Sequence, residues 1–250
     1  MNGNPKEASM ARPPFAPPGE RVYAIGDIHG SLLQLETLVR RIEEDIAQHP
    51  GIKGRLVFLG DYIDRGPFSK GVIEFVLHGL PASLNAFFLR GNHEDMILRF
   101  LKGDMPAGEG WLQYGGIATL LSYGIAPPAT VTPETMAELQ KNMQACIPPE
   151  HLKFFADAKL YLILGDYCFV HAGIKPSVAM SDQSQDDFLW IRKEFLVSQA
   201  DHGKMIIHGH NISLEPDIRS NRIGIDTGAY ATGRLTCLVL QDDKQHMIHT

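Results

Sequence analysis

GDYIDRGPFSK, residues 60–70, directly follows the largely apolar run RLVFL at 55–59. Such a run reads as a buried strand, and Asp61, Asp64 and Arg65 then stand where that strand turns into a loop. Two acids and an arginine at the end of a core strand, held between two glycines and a proline, call for a chemical reason. The same pattern occurs twice more in the first hundred residues. RVYAI (21–25) ends in GDIHGS. It leads into a helix over 31–48, with Leu32, Leu35, Leu38, Val39 and Ile42 on one face and Ser31 at its N-cap. LNAFFL (84–89) ends in RGNHE and leads into the helix EDMILRFLKG. After the opening stretch itself, Ser69 caps the helix KGVIEFVLHGL. Strand, polar glycine-containing loop and helix in threefold succession predict parallel strands of an α/β sheet, where ligands bind at the carboxyl ends.

The remainder is less regular. WLQYGGIATLLSYG reads as a helix with a Gly-Gly kink. TPETMAELQKNM reads as a helix capped by Thr132 with Pro133 in its first turn, and IPPEHLKFFADA as a similar entry. From residue 159 the runs KLYLILG, YCFVHAG, KMIIHGH, NRIGIDTG and RLTCLVLQ are short and rich in β-branched or aromatic residues. They predict a second sheet, mixed or antiparallel, with a short helix over 187–196 between its strands. Residues 1–20, rich in proline, read as a flexible or extended leader, and 21–250 as a single catalytic domain.

The 250 residues carry a net charge of −6 and are 44% hydrophobic. The acidic balance excludes a general nucleic-acid binder, which needs a basic face. No apolar run approaches the ~18 residues of a membrane span, and the N-terminus lacks an apolar signal core. The three cysteines, Cys146, Cys168 and Cys237, are widely spaced and lack zinc-site spacing. The expectation is a cytoplasmic enzyme with neither nucleic-acid nor membrane partners.

Five stretches end predicted strands with ligand-type side chains: GDIHG (26–30), GDYIDRG (60–66), RGNHE (90–94), VHAG (170–173) and IHGH (207–210). Together they supply carboxylates, imidazoles and an amide oxygen without a thiolate, a donor set that suits manganese, iron or zinc. Asp27, His29, Asp61, Asn92, His171 and His210 are too many for one open catalytic ion, and right for two ions that share a carboxylate. Such a pair, about 3.5–4 Å apart, clamps a phosphate for in-line attack and lowers the pKa of a shared water toward neutrality. Of the eleven histidines, His49, His78, His151, His202, His246 and His249 are expected to stand outside this constellation.

GDIHG, GDYIDRG and LRGNHE resemble the three signature blocks of the PPP-type metallophosphatases, the family of the serine/threonine protein phosphatases. The resemblance runs from about Arg21 to Leu240. It implies a four-layer α-β-β-α sandwich of two mixed sheets with a dimetal site at the edge between them. Carried over, Asp27 and His29 bind the first ion, Asp61 bridges, and Asn92, His171 and His210 bind the second. His93 resembles the general acid, Asp64 the carboxylate that orients it, and Arg65 a phosphate clamp. These roles also make chemical sense. A leaving alkoxide needs a proton, a carboxylate partner fixes the tautomer of the histidine, and arginine grips phosphate bidentately. Arg192 is the candidate second clamp; the competing reading is a solvated helix face paired with Glu194 or Asp187. Of the two histidines in IHGH, His210 matches the family motif and His208 reads as supporting or core. Tyr230 reads equally as a mouth residue or a turn aromatic. Trp111, Tyr114 and Tyr123 read as site wall or helical core.

HAG, HGH and IDTGAY depart from the eukaryotic blocks and resemble the bacterial branch. The resemblance therefore implies a bacterial protein phosphatase acting on phosphorylated protein or small phosphate esters, with manganese first among the metals and iron or zinc as alternatives. The nearest rival is the symmetrical diadenosine tetraphosphate hydrolase, which typically lacks the counterpart of Asp64 and carries aspartate at the position of Glu94. An inactive metal-binding scaffold is a third reading, which the pairing of His93 with Asp64 disfavours.

Overall fold

In the computed structural model, which describes residues 12–250, three strand–loop–helix units open the chain as the sequence predicts. β1 (Glu20–Ile25), β2 (Lys53–Phe58) and β3 (Leu84–Phe88) pair in parallel. α1 (Leu32–Ala47) follows the first and buries Leu35, Leu38, Val39 and Ile42. Ser31 stands at its N-cap without a side-chain capping bond. α2 (Ser69–Glu74) follows β2 and continues through a π-helical turn over Phe75–Gly79. Phe68 takes the N-cap position, so Ser69 lies inside the helix rather than capping it. α3 (Asn92–Leu101) begins at the predicted ligand Asn92 itself.

The middle of the chain is helical, as expected. α4 (Met105–Trp111) and α5 (Ile117–Ser122) meet through a π-helical turn in which Gly115, at φ 113°, makes the kink predicted at the glycine pair. α6 (Pro133–Cys146) is capped by Thr132, whose hydroxyl accepts the Thr135 N–H, and α7 (Pro149–Asp157) follows. The second sheet holds β4 (Tyr161–Leu164), β5 (Tyr167–Val170), β6 (Met205–His208), β7 (Asp217–Ile218) and β8 (Arg222–Gly224) in the order β4-β5-β6-β8-β7. Within it β5, β6 and β8 are parallel.

Two further expectations are corrected. The single helix over 187–196 is two, α8 (Gln185–Trp190) and α9 (Lys193–Leu196), broken where Arg192 takes φ −132°, ψ −99°. RLTCLVLQ does not join the second sheet. After the short α10 (Ala229–Thr232) it forms β9 (Thr236–Gln241), antiparallel to β1 in the first sheet, and β10 (Lys244–His249) pairs with it at the edge. The first sheet is thus mixed, in the order β10-β9-β1-β2-β3. A short apolar run records burial and not which sheet buries it. Of the predicted leader, residues 12–20 are described; they turn at Gly19 and pack on the rest of the chain. Ala16 is buried, its N–H donates to Asp242 C=O, and Phe15 and Asp166 exchange hydrogen bonds. Residues 1–11 of the predicted leader lie outside the described residues.

Alternation along the strands sorts the core into layers. Val22, Ala24, Val57 and Leu59 of the first sheet face Phe169, Ile207, Ile223 and Ile225 of the second. The opposite face of the first sheet, with Tyr23, Ile25, Leu56 and Phe58, packs on the helices α1 to α7. The outer face of the second, with Cys168, Val170 and Ile206, packs on α8 and α9 through Phe188 and Phe195. The result is the predicted four-layer α-β-β-α sandwich of two mixed sheets.

Candidate metal centre

The carboxyl ends of the two parallel triplets, β1, β2 and β3 in one sheet and β5, β6 and β8 in the other, meet along one edge. Asp27 and His29 follow β1, Asp61 follows β2, and Asn92 opens α3 after β3. His171 follows β5 and His210 follows β6. All six predicted ligands are buried. Asp61 sits at their centre. Its Oδ2 lies 3.4 Å from His29 Nε2, 3.4 Å from His171 Nε2 and 3.8 Å from His93 Nε2. Asn92 Oδ1 lies 2.8 Å from His171 Nε2, and the His210 N–H donates to Asp27 Oδ2 at 2.9 Å. Donor atoms of His29, Asp61 and His93 lie within 4.8 Å of one another, as do those of Asp61, His171 and His210. Asp61 belongs to both groups, which is the position a shared carboxylate needs.

The polar atoms here fit metal ions. His29 Nδ1 donates to Ile63 C=O at 2.8 Å and His171 Nδ1 to Leu59 C=O at 3.0 Å, so each ring turns its Nε2 lone pair inward. Burial lowers the His29 pKa to about 3 and that of His210 to about 2, and it lowers His171 as well. Neutral imidazole is the ligating form. Asp27 Oδ1, His29 Nε2 and His210 Nε2 are buried without a hydrogen-bond partner, a costly state that coordination would relieve. Burial, then the charges of Asp226 and Asp61, push the Asp27 carboxyl well above its usual pKa; a cation between them would reverse this.

His93 and Asp64 form a pair: Nδ1 donates to Asp64 Oδ2 at 2.5 Å. Asp64 also accepts from Trp111 Nε1 at 2.8 Å and from the Thr119 hydroxyl at 2.6 Å, and its N–H donates to Ser69 Oγ and Thr119 Oγ1. Burial works to lower the His93 pKa, but Asp61 and the hydrogen-bonded charge of Asp64 outweigh it, and the pKa is raised. A guanidinium nitrogen of Arg65 lies 3.3 Å from His93 Nε2, so both reach one point at the mouth of the site. His29, Asp61, Asp64, Arg65 and His210 all have positive φ, from 45° to 74°. In non-glycine residues this conformation costs ~1–2 kcal/mol each, so tertiary contacts must hold them there.

The undecided residues separate cleanly. Tyr230 is at the mouth: Arg65 stacks over its ring at 5.1 Å, and the ring meets His29 edge-on at 5.5 Å. Arg192 is exposed and donates to Asn211 Oδ1 at 3.0 Å, one residue from His210, rather than pairing with Glu194 or Asp187. His208 is core, packed edge-on against Phe195 and beside Arg222. Trp111 is fully buried, Tyr114 is exposed, and Tyr123 bonds His151 away from the centre.

Two residues escaped the sequence reading, Asp226 and Trp190, and a third, Glu94, entered it only as a family marker. Glu94 reaches back from the first turn of α3 and accepts the N–H groups of Asp61, Tyr62, Ile63 and Gly91. Burial and the charge of Asp61 push its pKa up to about 8, while His93 and the Gly91 N–H pull the other way. Asp226, in IDTG after β8, is buried with Oδ2 unpartnered. Trp190, at the end of α8, meets His210 edge-on at 6.3 Å. The signal for Glu94 was its place at the third position of a helix, where a side chain bonds back to the N-cap. For Asp226 it was a strand end of the same kind as the other five.

Comparison with known proteins agrees with this geometry. Residues 20–223 match the calcineurin-like phosphoesterase family. A curated relative from Anoxybacillus flavithermus, named bis(5'-nucleosyl)-tetraphosphatase PrpE [asymmetrical], is 29% identical over 238 residues, which cover 86% of this chain and 88% of the relative. A crystal structure provisionally assigned as a diadenosine tetraphosphatase superposes with a TM-score of 0.61 at 20% identity, over 94% of this chain and 98% of that one. A protein serine/threonine phosphatase from Saccharomyces cerevisiae superposes with a TM-score of 0.53 at 16% identity, over 93% and 80%. With this match and the shared carboxylate between two sheets, the chain belongs to the calcineurin-like phosphoesterases.

Proposed function

We propose that the chain is a metal-dependent phosphoric monoester hydrolase, a phosphoprotein phosphatase acting on phosphoserine, phosphothreonine or phosphotyrosine. The observation that carries this reading is the His93–Asp64 pair at 2.5 Å. An ester whose leaving group is an alkoxide needs a proton as its bond to phosphorus breaks, and a histidine held by a carboxylate is suited to give it. Asp27, His29 and Asp61 would hold one ion, and Asp61, Asn92, His171 and His210 the other. Manganese suits these donors first, and iron or zinc accept the same set. When bound, the ions neutralise the phosphate oxygens and acidify a water for attack on phosphorus.

The remaining work falls to side chains. Arg65 grips the phosphate oxygens, with Arg192 as a second clamp on the side of His210. The oxygen of a water that has released one proton to solvent bonds to phosphorus while the bond from phosphorus to the ester oxygen breaks. The proton on His93 Nε2 passes to the departing oxygen, Asp64 steadies the imidazolium until then, and a proton from solvent restores His93. The partner is a phosphorylated protein or small phosphate ester, in the cytoplasm, with no nucleic acid or membrane involved. Among the described residues, no helix is long and apolar enough to cross a membrane.

A second reading, dinucleoside polyphosphate hydrolysis, is favoured by the names of the curated relatives, which are of the asymmetrical type. Its leaving group is itself a phosphate and needs less protonation, so the His93–Asp64 pair would matter less. The deciding measurement is kcat/KM of the metal-loaded protein on phosphoserine, phosphothreonine and phosphotyrosine peptides beside diadenosine tetraphosphate. The expected result is preference for a phosphopeptide. Faster cleavage of the dinucleotide puts the second reading first. Failure to turn over any of these or p-nitrophenyl phosphate leaves only the inactive scaffold.

A further inference from the structure

We propose that Asp226 is a third carboxylate of the metal centre, placing its free Oδ2 on the ion held by Asp27 and His29. The inference rests on the two-ion reading above.

Asp226 is 2% exposed and stands two residues beyond the end of β8. One carboxylate oxygen is engaged locally, since Oδ1 accepts the Gly228 N–H at 2.9 Å. The other, Oδ2, is buried with no partner. Glu94 is the instructive contrast. It is equally buried, but both of its oxygens are taken by backbone N–H groups, and it has none to offer an ion. Besides Asp226 Oδ2, the buried side-chain atoms without a partner among the described residues are Asp27 Oδ1, His29 Nε2 and His210 Nε2 of the centre, together with five outside the ligand set.

The position points to the Asp27 side. The backbone at 225–226 lies against Gly26, beside Asp27, where a Cβ would meet Ile225 C=O at 2.5 Å. Two buried carboxylates, each with an oxygen left free, on adjoining backbone form an arrangement that a cation stabilises and that its absence penalises. Chemistry makes the two positions unlike. With Asp226, the first ion is held by three carboxylates and one imidazole; the second has one carboxylate, one amide and two imidazoles. The oxygen-rich first position then favours a hard ion such as manganese over zinc. A third carboxylate also offsets more of the charge of two divalent ions.

The test is a manganese titration of the metal-free full chain, wild type and Asp226→Asn, followed by electron paramagnetic resonance and by metal content after gel filtration. Melting of the metal-free forms is measured in parallel. Asparagine keeps an oxygen for the Gly228 N–H, so the turn is retained. Asp226→Asn is expected to keep one ion, bind the other at least tenfold more weakly, and shift that position toward zinc. Its metal-free Tm should equal or exceed the wild type, because a repelled charge has gone. Two ions bound with wild-type affinity overturn the assignment. So does weakened binding with a lowered metal-free Tm, which marks a purely structural carboxylate. If Asp226→Asn does not fold, Asp226→Ser, which also keeps an acceptor without charge, is read by the same criteria. A wild type that never takes two ions removes the two-ion reading itself, and this inference with it.

Discussion

An imidazole bonded at 2.5 Å to a buried carboxylate, with a second carboxylate beyond its other nitrogen, keeps its proton above the ordinary pKa. As the proton donor held by Asp64, His93 should make kcat fall on the alkaline side as it deprotonates. The linked stability has the same sign. The raised pKa stabilises the fold fully below about 6.5, the unfolded value, and the gain is lost as pH rises through the folded value. His93→Asn is expected to keep both ions, lose turnover most for alkyl esters, and lose the alkaline limb; equal slowing of aryl and alkyl phosphates would contradict the role. Asp61→Asn should release both ions together, checked by metal content, because both ligand groups share this residue. Trp111→Phe removes the donor to Asp64 at 2.8 Å. A hydrogen bond to a charged group is worth ~1.5–3 kcal/mol, so kcat should drop about tenfold or more with KM little changed. His93 and Asp64 were legible because each stands in a short motif. Trp111 and Thr119 were not, because they reach Asp64 from helices 47 and 55 residues away.

At the scale of elements, the loop after β2 is organised by the helix after β3. Glu94 binds three successive N–H groups of GDYI together with that of Gly91, and an aspartate would be one methylene short of this reach. The Glu94/aspartate distinction that the sequence offered as a family marker thus has a mechanical content. Glu94→Gln turns one acceptor into a donor facing N–H groups. It should lower stability by ~1–3 kcal/mol, read from the midpoint of urea unfolding, and weaken metal binding through Asp61. Gly91 is equally constrained, since a Cβ there would lie 2.0 Å from Asp61 Oδ1. The periodicity of α1 and the cap of α6 followed from local sequence. The break at Arg192 did not, because nothing local forbids helix there. It falls where the chain must lay Trp190 against His210 and Arg192 beside Asn211.

For the whole molecule, the decisive fact is that the candidate ligands come from both sheets: Asp27, His29, Asp61 and Asn92 from one, His171 and His210 from the other. Ions bound there would tie the sheets together, and binding to the folded state alone stabilises it by ~2.7 kcal/mol at a hundredfold excess over Kd. Chelation should accordingly lower Tm, and manganese should restore it. Phe169→Ala, in the apolar layer between the sheets, should cost ~3–5 kcal/mol and weaken metal binding without touching a ligand. By itself, the sequence determined the strand–loop–helix order, the six ligand-type side chains and the two-sheet class, because each is written in a local pattern of apolar period, glycine and donor; the pairing of His93 with Asp64 came only from the resemblance of their motifs to the family's blocks. Tertiary structure alone decided which sheet receives β9, that Glu94 gathers the N–H groups of the loop after β2, that Asp226 Oδ2 is buried without a partner, and that five non-glycine site residues sit at positive φ. These depend on contacts between segments far apart in the chain, and those contacts overcome local preference.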